Sequence, residues 1–231
     1  MADIATNLPS FAYAALGGIV PALLWLWFWI QEDKLHPEPR TRILGAFLGG
    51  MAMVPLAYFP EKAVYAHYGL STSTLFVWAV IEECLKLGAA WLFALRTRDF
   101  DEPIDALEYM ITVALGFAAL ENALFILNPL MDGDIVRGAI AGNMRFVGAS
   151  LLHVVSSAIL GYSIAREFYK GRIAQNIWRV LGLGLAVALH TVFNMFIIYD
   201  NGSKTFFVFG CVWAAALGVL LLFEKVKRLR T

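Results

Sequence analysis

The chain is poor in charge, poor in cysteine and balanced in sign. Of its 231 residues, 16% are charged and 60% apolar, against about 25% and about 45–50% in an ordinary soluble domain. Such a chain is neither a soluble globule nor disordered. Basic and acidic residues number 18 each, which removes the basic footprint of a nucleic-acid partner. The two cysteines, Cys84 and Cys211, lie inside apolar runs, so a disulfide scaffold and a cysteine-based zinc knuckle are both excluded. There is no G-x-S-x-G elbow and no H-E-x-x-H helix, so a serine nucleophile and a short zinc motif are missing. No internal repeat stands out.

What the sequence does have is long apolar runs. Seven are long enough to cross a bilayer, which takes about 17–25 residues: 11–30, 43–59, 75–95, 106–127, 138–165, 180–199 and 205–223. Loops of 5 to 15 residues and two short tails make up the rest. The expected architecture is therefore all-α: a polytopic membrane helix bundle of about seven transmembrane helices, with residues 1–231 as one domain. Runs of this length span lipid as helices, because backbone groups there must be satisfied within the segment.

Orientation follows from lysine and arginine in the loops. The segments after spans 1, 3 and 5, with the C-terminal tail, hold thirteen: Lys34, Arg40, Arg42, Arg96, Arg98, Arg166, Lys170, Arg172, Arg179, Lys225, Lys227, Arg228 and Arg230. The opposite set holds three, Lys62, Arg137 and Lys204. This places the N-terminus outside and the C-terminus in the cytoplasm of a plasma (inner) membrane protein. The first run lacks a basic flank and is too long for the apolar core of a signal peptide. Trp25, Trp27 and Trp29 read as an interfacial aromatic belt. Asp101-Glu102-Pro103-Ile104-Asp105 has the chemistry of a helix start, with Asp101 as cap, and a cation site is the alternative for that acidic loop.

The informative residues are ionisable groups inside the spans. Span 3 carries Glu82, Glu83 and Lys86; span 4 carries Glu121 and Asn122; span 5 carries Arg145 and His153; span 6 carries His190 and Asn194. Each charge at mid-bilayer costs about 2.5–3.5 kcal/mol on insertion scales. Five unpaired charges would cost about 12–17 kcal/mol, comparable to the whole stability of a fold. They must therefore face the interior and satisfy one another. At about 1.5 Å per residue, Glu83, Glu121, Arg145 and His190 fall about 9–13 Å from the outer ends of their spans. Four helices thus bring polar groups to one level, while spans 1, 2 and 7 bring none.

Spacing adds chemistry. Lys86 stands i+4 from Glu82 and i+3 from Glu83, within reach of either. Glu83, or Glu82, is then the candidate general base for a water. His190 and Asn194, i and i+4 on one face, are a candidate donor pair for an oxyanion. Glu121 or His153 is placed to hold the water or pass its proton, with Lys86, Asn122 and Arg145 in support. Structural readings stand beside these: an ion-pair cluster in span 3, neutralisation of Glu121 by Arg145, and interhelical histidines.

These motifs resemble a known family. Glu82-Glu83-x-x-Lys86 looks like the EExxK motif of the PrsW family of intramembrane proteases, and Phe117-x-x-x-Glu121-Asn122 looks like its FxxxEN motif. His153 and His190-x-x-x-Asn194 are similar to its histidine motifs, and Asp33-Lys34-x-x-Pro37-Glu38-Pro39 and Asp101-Glu102-Pro103-x-Asp105 agree with its loop segments. The family is related to the CAAX prenyl endopeptidase and bacteriocin-processing proteases, whose EExxxR motif differs at Lys86. The resemblance implies hydrolysis of a peptide bond in a single-pass, membrane-anchored protein near its extracytoplasmic side. In the best-known members that substrate is an anti-sigma factor. A metal-free glutamate mechanism is expected, with no cofactor; a zinc ion on two histidines and a glutamate is the alternative. The competing class is a proton- or ion-coupled transporter with a buried Glu/His/Arg relay. The other partner expected is the lipid bilayer; no nucleic acid is.

Overall fold

A computed structural model describes every residue except 1, 35, 200–202, 230 and 231, and every side chain except those of these residues and of residues 2–7. The described residues form α-helices and π-helical turns with no strand. In chain order the helices are α1 (Ala2–Trp29), α2 (Arg40–Tyr68), α3 (Thr72–Ala90), α4 (Asp105–Met131), α5 (Ile135–Met144), α6 (Ser150–Arg166), α7 (Arg172–Tyr199) and α8 (Thr205–Val226). A π-helical turn, Trp91–Leu95, prolongs α3, and another, Arg145–Ala149, joins α5 to α6. Seven rods result, as the apolar runs predict.

Six of the rods are long and apolar enough to cross a membrane. The seventh, α3, carries Glu82, Glu83 and Lys86, all buried. Large apolar side chains cover the outside of the bundle, among them Phe59, Phe206, Phe207 and Leu221, as expected where lipid is the solvent. The chain is a multi-pass membrane protein.

Helix α4 is the hub. It runs against α1, α2, α3, α5 and α6, and 72% of its apolar window is buried. Glycines permit the close crossings. A Cβ on Gly116 would lie 1.9 Å from the Phe47 carbonyl oxygen of α2, and one on Gly50 would lie 2.0 Å from the Val113 carbonyl of α4. The two helices touch backbone to backbone there, as small residues allow in membranes.

Several local expectations change. Span 2 does not stop at Phe59; α2 passes through Pro55 and Pro60 to Tyr68. Span 4 does not stop at Leu127; Asn128-Pro129 belongs to the last turn of α4. The reversal comes at Gly133, with φ of +80°, and Asp134 then caps α5 by accepting from the Arg137 N–H at 2.8 Å. Asp101 does not cap α4. Asp105 reaches back and accepts from the Asp101 and Glu102 N–H groups at 3.0 and 2.8 Å. The tryptophans do not form a simple belt. Trp27 is exposed, but Trp29 is buried and stacks on Phe223, and Trp25 packs against Phe146 and Trp213.

Candidate active site

Helices α3, α4, α6 and α7 meet around one buried polar cluster. From α3, Lys86 has no exposed side-chain surface. A bare ammonium there would be prohibitive, and its surroundings explain its survival. Lys86 Nζ donates to Glu83 Oε1 at 2.8 Å and to Glu82 Oε2 at 3.4 Å. It also lies 2.7 Å from His153 Nδ1 and 4.6 Å from the centre of the Phe117 ring, a cation–π distance.

Those contacts fix the histidines. An ammonium only donates, so His153 Nδ1 is an acceptor and the ring proton sits on Nε2. Nε2–H then donates to Glu121 Oε2 at 3.0 Å. A carboxylate only accepts, so His190 Nδ1–H donates to Glu83 Oε1 at 2.8 Å. The other ring nitrogen of His190, Nε2, faces Glu82 Oε2 at 3.8 Å. Nε2 is thus the atom through which His190 can meet a water or a substrate, as an acceptor when the ring is neutral and as a donor when it is protonated.

The two span-3 glutamates differ sharply. Glu83 Oε1 accepts from Lys86, His190 and Ser156, the last at 3.2 Å. Its Oε2 is buried without a partner. Glu82 has only the long contact to Lys86 and faces two imidazoles, His190 Nε2 at 3.8 Å and His153 Nδ1 at 3.9 Å. Separations beyond hydrogen-bond length between polar groups are where a bridging water belongs.

On the far side of His153, Arg145 donates to Glu121 and, through Nε, to Asn122. Asn122 donates in turn to Ser150 Oγ at 2.9 Å. Arg145 opens the π-helical turn, and such turns recur at functional sites. This end of the cluster is the open one. The Arg145 and Glu121 side chains keep 18% and 20% of their surface exposed, against 0% for Glu83.

Of the residues singled out in the sequence, Glu82, Glu83, Lys86, Glu121, Asn122, Arg145, His153 and His190 form this network. Asn194 stands outside it: half-buried on α7, it hydrogen-bonds to none of them. Sequence reasoning missed two groups. Ser156, an uncharged residue inside the fifth apolar run, donates to Glu83. Glu61 of α2 has a buried, unpartnered Oε1, and its strongest electrostatic neighbours are Glu82, Glu121 and Lys86. Span 2 thus does contribute a polar group. Pro60-Glu61-Lys62 reads as a loop, which hid it.

The same residues can be weighed as a metal site. Glu82, His153 and His190 each offer one ligand atom, all within 4.8 Å of one another. Two imidazoles and a carboxylate are a known catalytic zinc set, and Glu83 behind His190 is the usual carboxylate partner of a liganding histidine. The set fits. Lys86 competes with it, because its ammonium already holds His153 Nδ1.

Residues 38–222 match the family described as PrsW family intramembrane metalloprotease. The chain belongs to the PrsW family. Among curated relatives, Protease PrsW of Geobacillus kaustophilus is 30% identical over 160 residues, covering 67% of this chain and 64% of the relative. Protease PrsW of Halalkalibacterium halodurans is 26% identical over 78% of this chain and 81% of its own length. The Bacillus subtilis Protease PrsW is 25% identical over 75% and 77%. No solved structure matches the chain. The match spans the whole buried network, from Glu82 to His190.

Proposed function

We propose that this PrsW-family chain is an intramembrane endopeptidase that cuts a single-pass protein near its extracytoplasmic side. The observation that carries the reading is the asymmetry of Glu82 and Glu83. Glu83 is saturated at one oxygen and serves as a fixed orienter. Glu82 is underused and faces a gap bounded by His190 Nε2, His153 Nδ1 and Lys86.

In this reading Glu82 removes a proton from a water in that gap. The oxygen attacks the scissile carbonyl carbon, and the Lys86 ammonium is the cation nearest Glu82 that offsets the developing oxyanion. Glu82 then returns the proton to the amine nitrogen as the C–N bond breaks. Glu83 holds the His190 ring and the Lys86 head in place. Glu121 and Arg145 form the rim through which the substrate reaches the gap. If the site holds zinc, Glu82, His153 and His190 hold it. The ion then supplies Lewis acidity and acidifies its bound water.

The orientation read from lysine and arginine goes with this proposal. Along α4, Glu121 lies 16 residues from Asp105, about 24 Å at 1.5 Å per residue. The cluster is thus remote from the face crowded with basic loops, which the charge rule makes cytoplasmic. An anti-sigma factor in regulated proteolysis, in a bacterial plasma membrane, is the substrate the resemblance implies.

The test surveys all membrane proteins at once. Membranes expressing the wild type, Glu82→Gln or no protein are compared by mass spectrometry of protein N-termini. New termini within or beside transmembrane segments, present only with wild type, support the proposal. Their absence, with solute flux into liposomes of purified protein, overturns it in favour of a transporter.

A further inference from the structure

A second carboxylate cluster lies at the other end of α4, and nothing in the proteolytic reading uses it. Asp33, in the loop between α1 and α2, meets Glu102 and Asp105, at the start of α4. One oxygen from each lies within 4.8 Å of the others. Glu38 joins through Tyr109, whose hydroxyl donates to its carboxylate. Glu108 and Tyr109 stand i+3 and i+4 from Asp105 and so share its helix face.

Five carboxyls converge here with little to neutralise them. Of the basic groups nearby, Arg42 pairs with Asp99, and Lys227 pairs with Glu32 and Glu224 while its charge also reaches Asp33. Exposed His36 lies 3.1 Å from Glu102. The helix dipole and two backbone N–H groups favour one anion, Asp105; they do not account for five.

Two oxygens point independently to a ligand. Asp33 and Glu108 are only 7% and 4% exposed. Asp33 Oδ2 and Glu108 Oε2 are nevertheless buried without any hydrogen-bond partner. The charged groups acting on Glu108 are Asp33, Glu38 and Asp105, all acidic. An unsatisfied buried carboxylate beside other carboxylates is costly until a proton neutralises it or a cation lies between them.

We propose that Asp33, Glu102 and Asp105, backed by Glu108, bind one hard divalent cation of the calcium or magnesium type. All-oxygen donors select such ions over zinc or copper. With metal–oxygen distances of about 2.1–2.5 Å, two ligands of one ion sit no more than about 5 Å apart, which the 4.8 Å spread satisfies. Half-buried Glu102 leaves a path for the ion and its waters. The ion ties the α1–α2 loop to the start of the central helix, about 24 Å along α4 from Glu121. It is distinct from the cluster around Glu82 and stands whether or not that cluster cuts peptides.

The test uses the full chain, purified in detergent and stripped with EDTA. Mg2+ and Ca2+ are titrated separately at constant ionic strength while the melting temperature is followed. Mn2+ binding is counted by electron paramagnetic resonance. The expected result is a saturable rise in melting temperature, with one Mn2+ per chain displaced by Mg2+ or Ca2+. Glu102→Gln, at the rim and compatible with folding, weakens binding by at least about tenfold, what even an outer partner of a metal site contributes. His190→Ala leaves this binding intact. Unchanged melting with no bound Mn2+, unchanged affinity in Glu102→Gln, or loss of binding in His190→Ala each overturns the proposal. So does a melting temperature blind to divalent ions that climbs steadily on acidification, the mark of carboxyls that are simply protonated.

Discussion

Lys86 on α3 donates to Nδ1 of His153 on α6 at 2.7 Å. That one bond sets the ring's tautomer, directs Nε2–H to Glu121 and takes the lone pair a metal would use. Lys86→Met therefore has two expected effects. It removes the charge facing Glu82, Glu83 and Glu121, and breaking a buried ion pair costs about 3–5 kcal/mol, seen as a lower melting temperature. It also frees His153, so zinc binding by the purified variant, followed by isothermal titration, tightens relative to wild type. A variant that melts lower and binds zinc no better shows that Lys86 does not guard the histidines.

Glu82→Gln and Glu83→Gln separate base from orienter. Glu82 carries one long contact, so its amide variant folds with near-native stability and loses about 10²–10⁴-fold in turnover, the worth of a general base. Glu83 receives three donors on one oxygen, so its amide loses both stability and turnover. Melting curves and cleavage rates of the two proteins, measured side by side, decide the matter. Equal stability loss in both would contradict the assignment.

The backbone crossing of α2 and α4 predicts a cost unrelated to chemistry. Gly116→Val places carbon where the Phe47 carbonyl stands. Overpacking costs about 1–3 kcal/mol and sometimes more, so the variant melts lower and is recovered in lower yield. Gly88→Ala, with open space around it, is the control and keeps the wild-type melting temperature.

Much of the cluster was legible because charge in a greasy run is rare. Glu82, Glu83 and Lys86 declare their contacts by i+3 and i+4 spacing, and Glu121 and Arg145 by equal depth in adjacent spans. Glu61 was not legible. A proline and a neighbouring lysine imitate a loop, and only the bundle shows that α2 continues past them. Asn194 is the opposite case, conspicuous in the sequence yet without a hydrogen bond to the cluster. Its i+4 spacing from His190 is real, but depth and partners, not spacing, decide which polar groups meet. The tautomers of the histidines depend on contacts between helices, which a linear pattern does not contain.

Topology has its own test. In a background with Cys84 and Cys211 replaced, Asp132→Cys is expected to react with an impermeant maleimide in intact cells. Arg98→Cys is expected to react only after lysis. The reverse pattern inverts the orientation and puts the polar cluster near the cytoplasmic side.

The near-closed polar cluster also constrains what can be cut. A carbonyl inside an intact helix is already bonded to its own chain, and the groups around the gap (Glu82, His153, His190 and Lys86) have side chains no more than 8% exposed. A segment must first unravel into a single extended strand. Susceptible sequences should therefore be those that unwind cheaply, with glycine or proline beside the broken bond. Membrane anchors rich in leucine and alanine would then pass by uncut, and selection would rest on how readily a sequence comes apart more than on which side chains it displays.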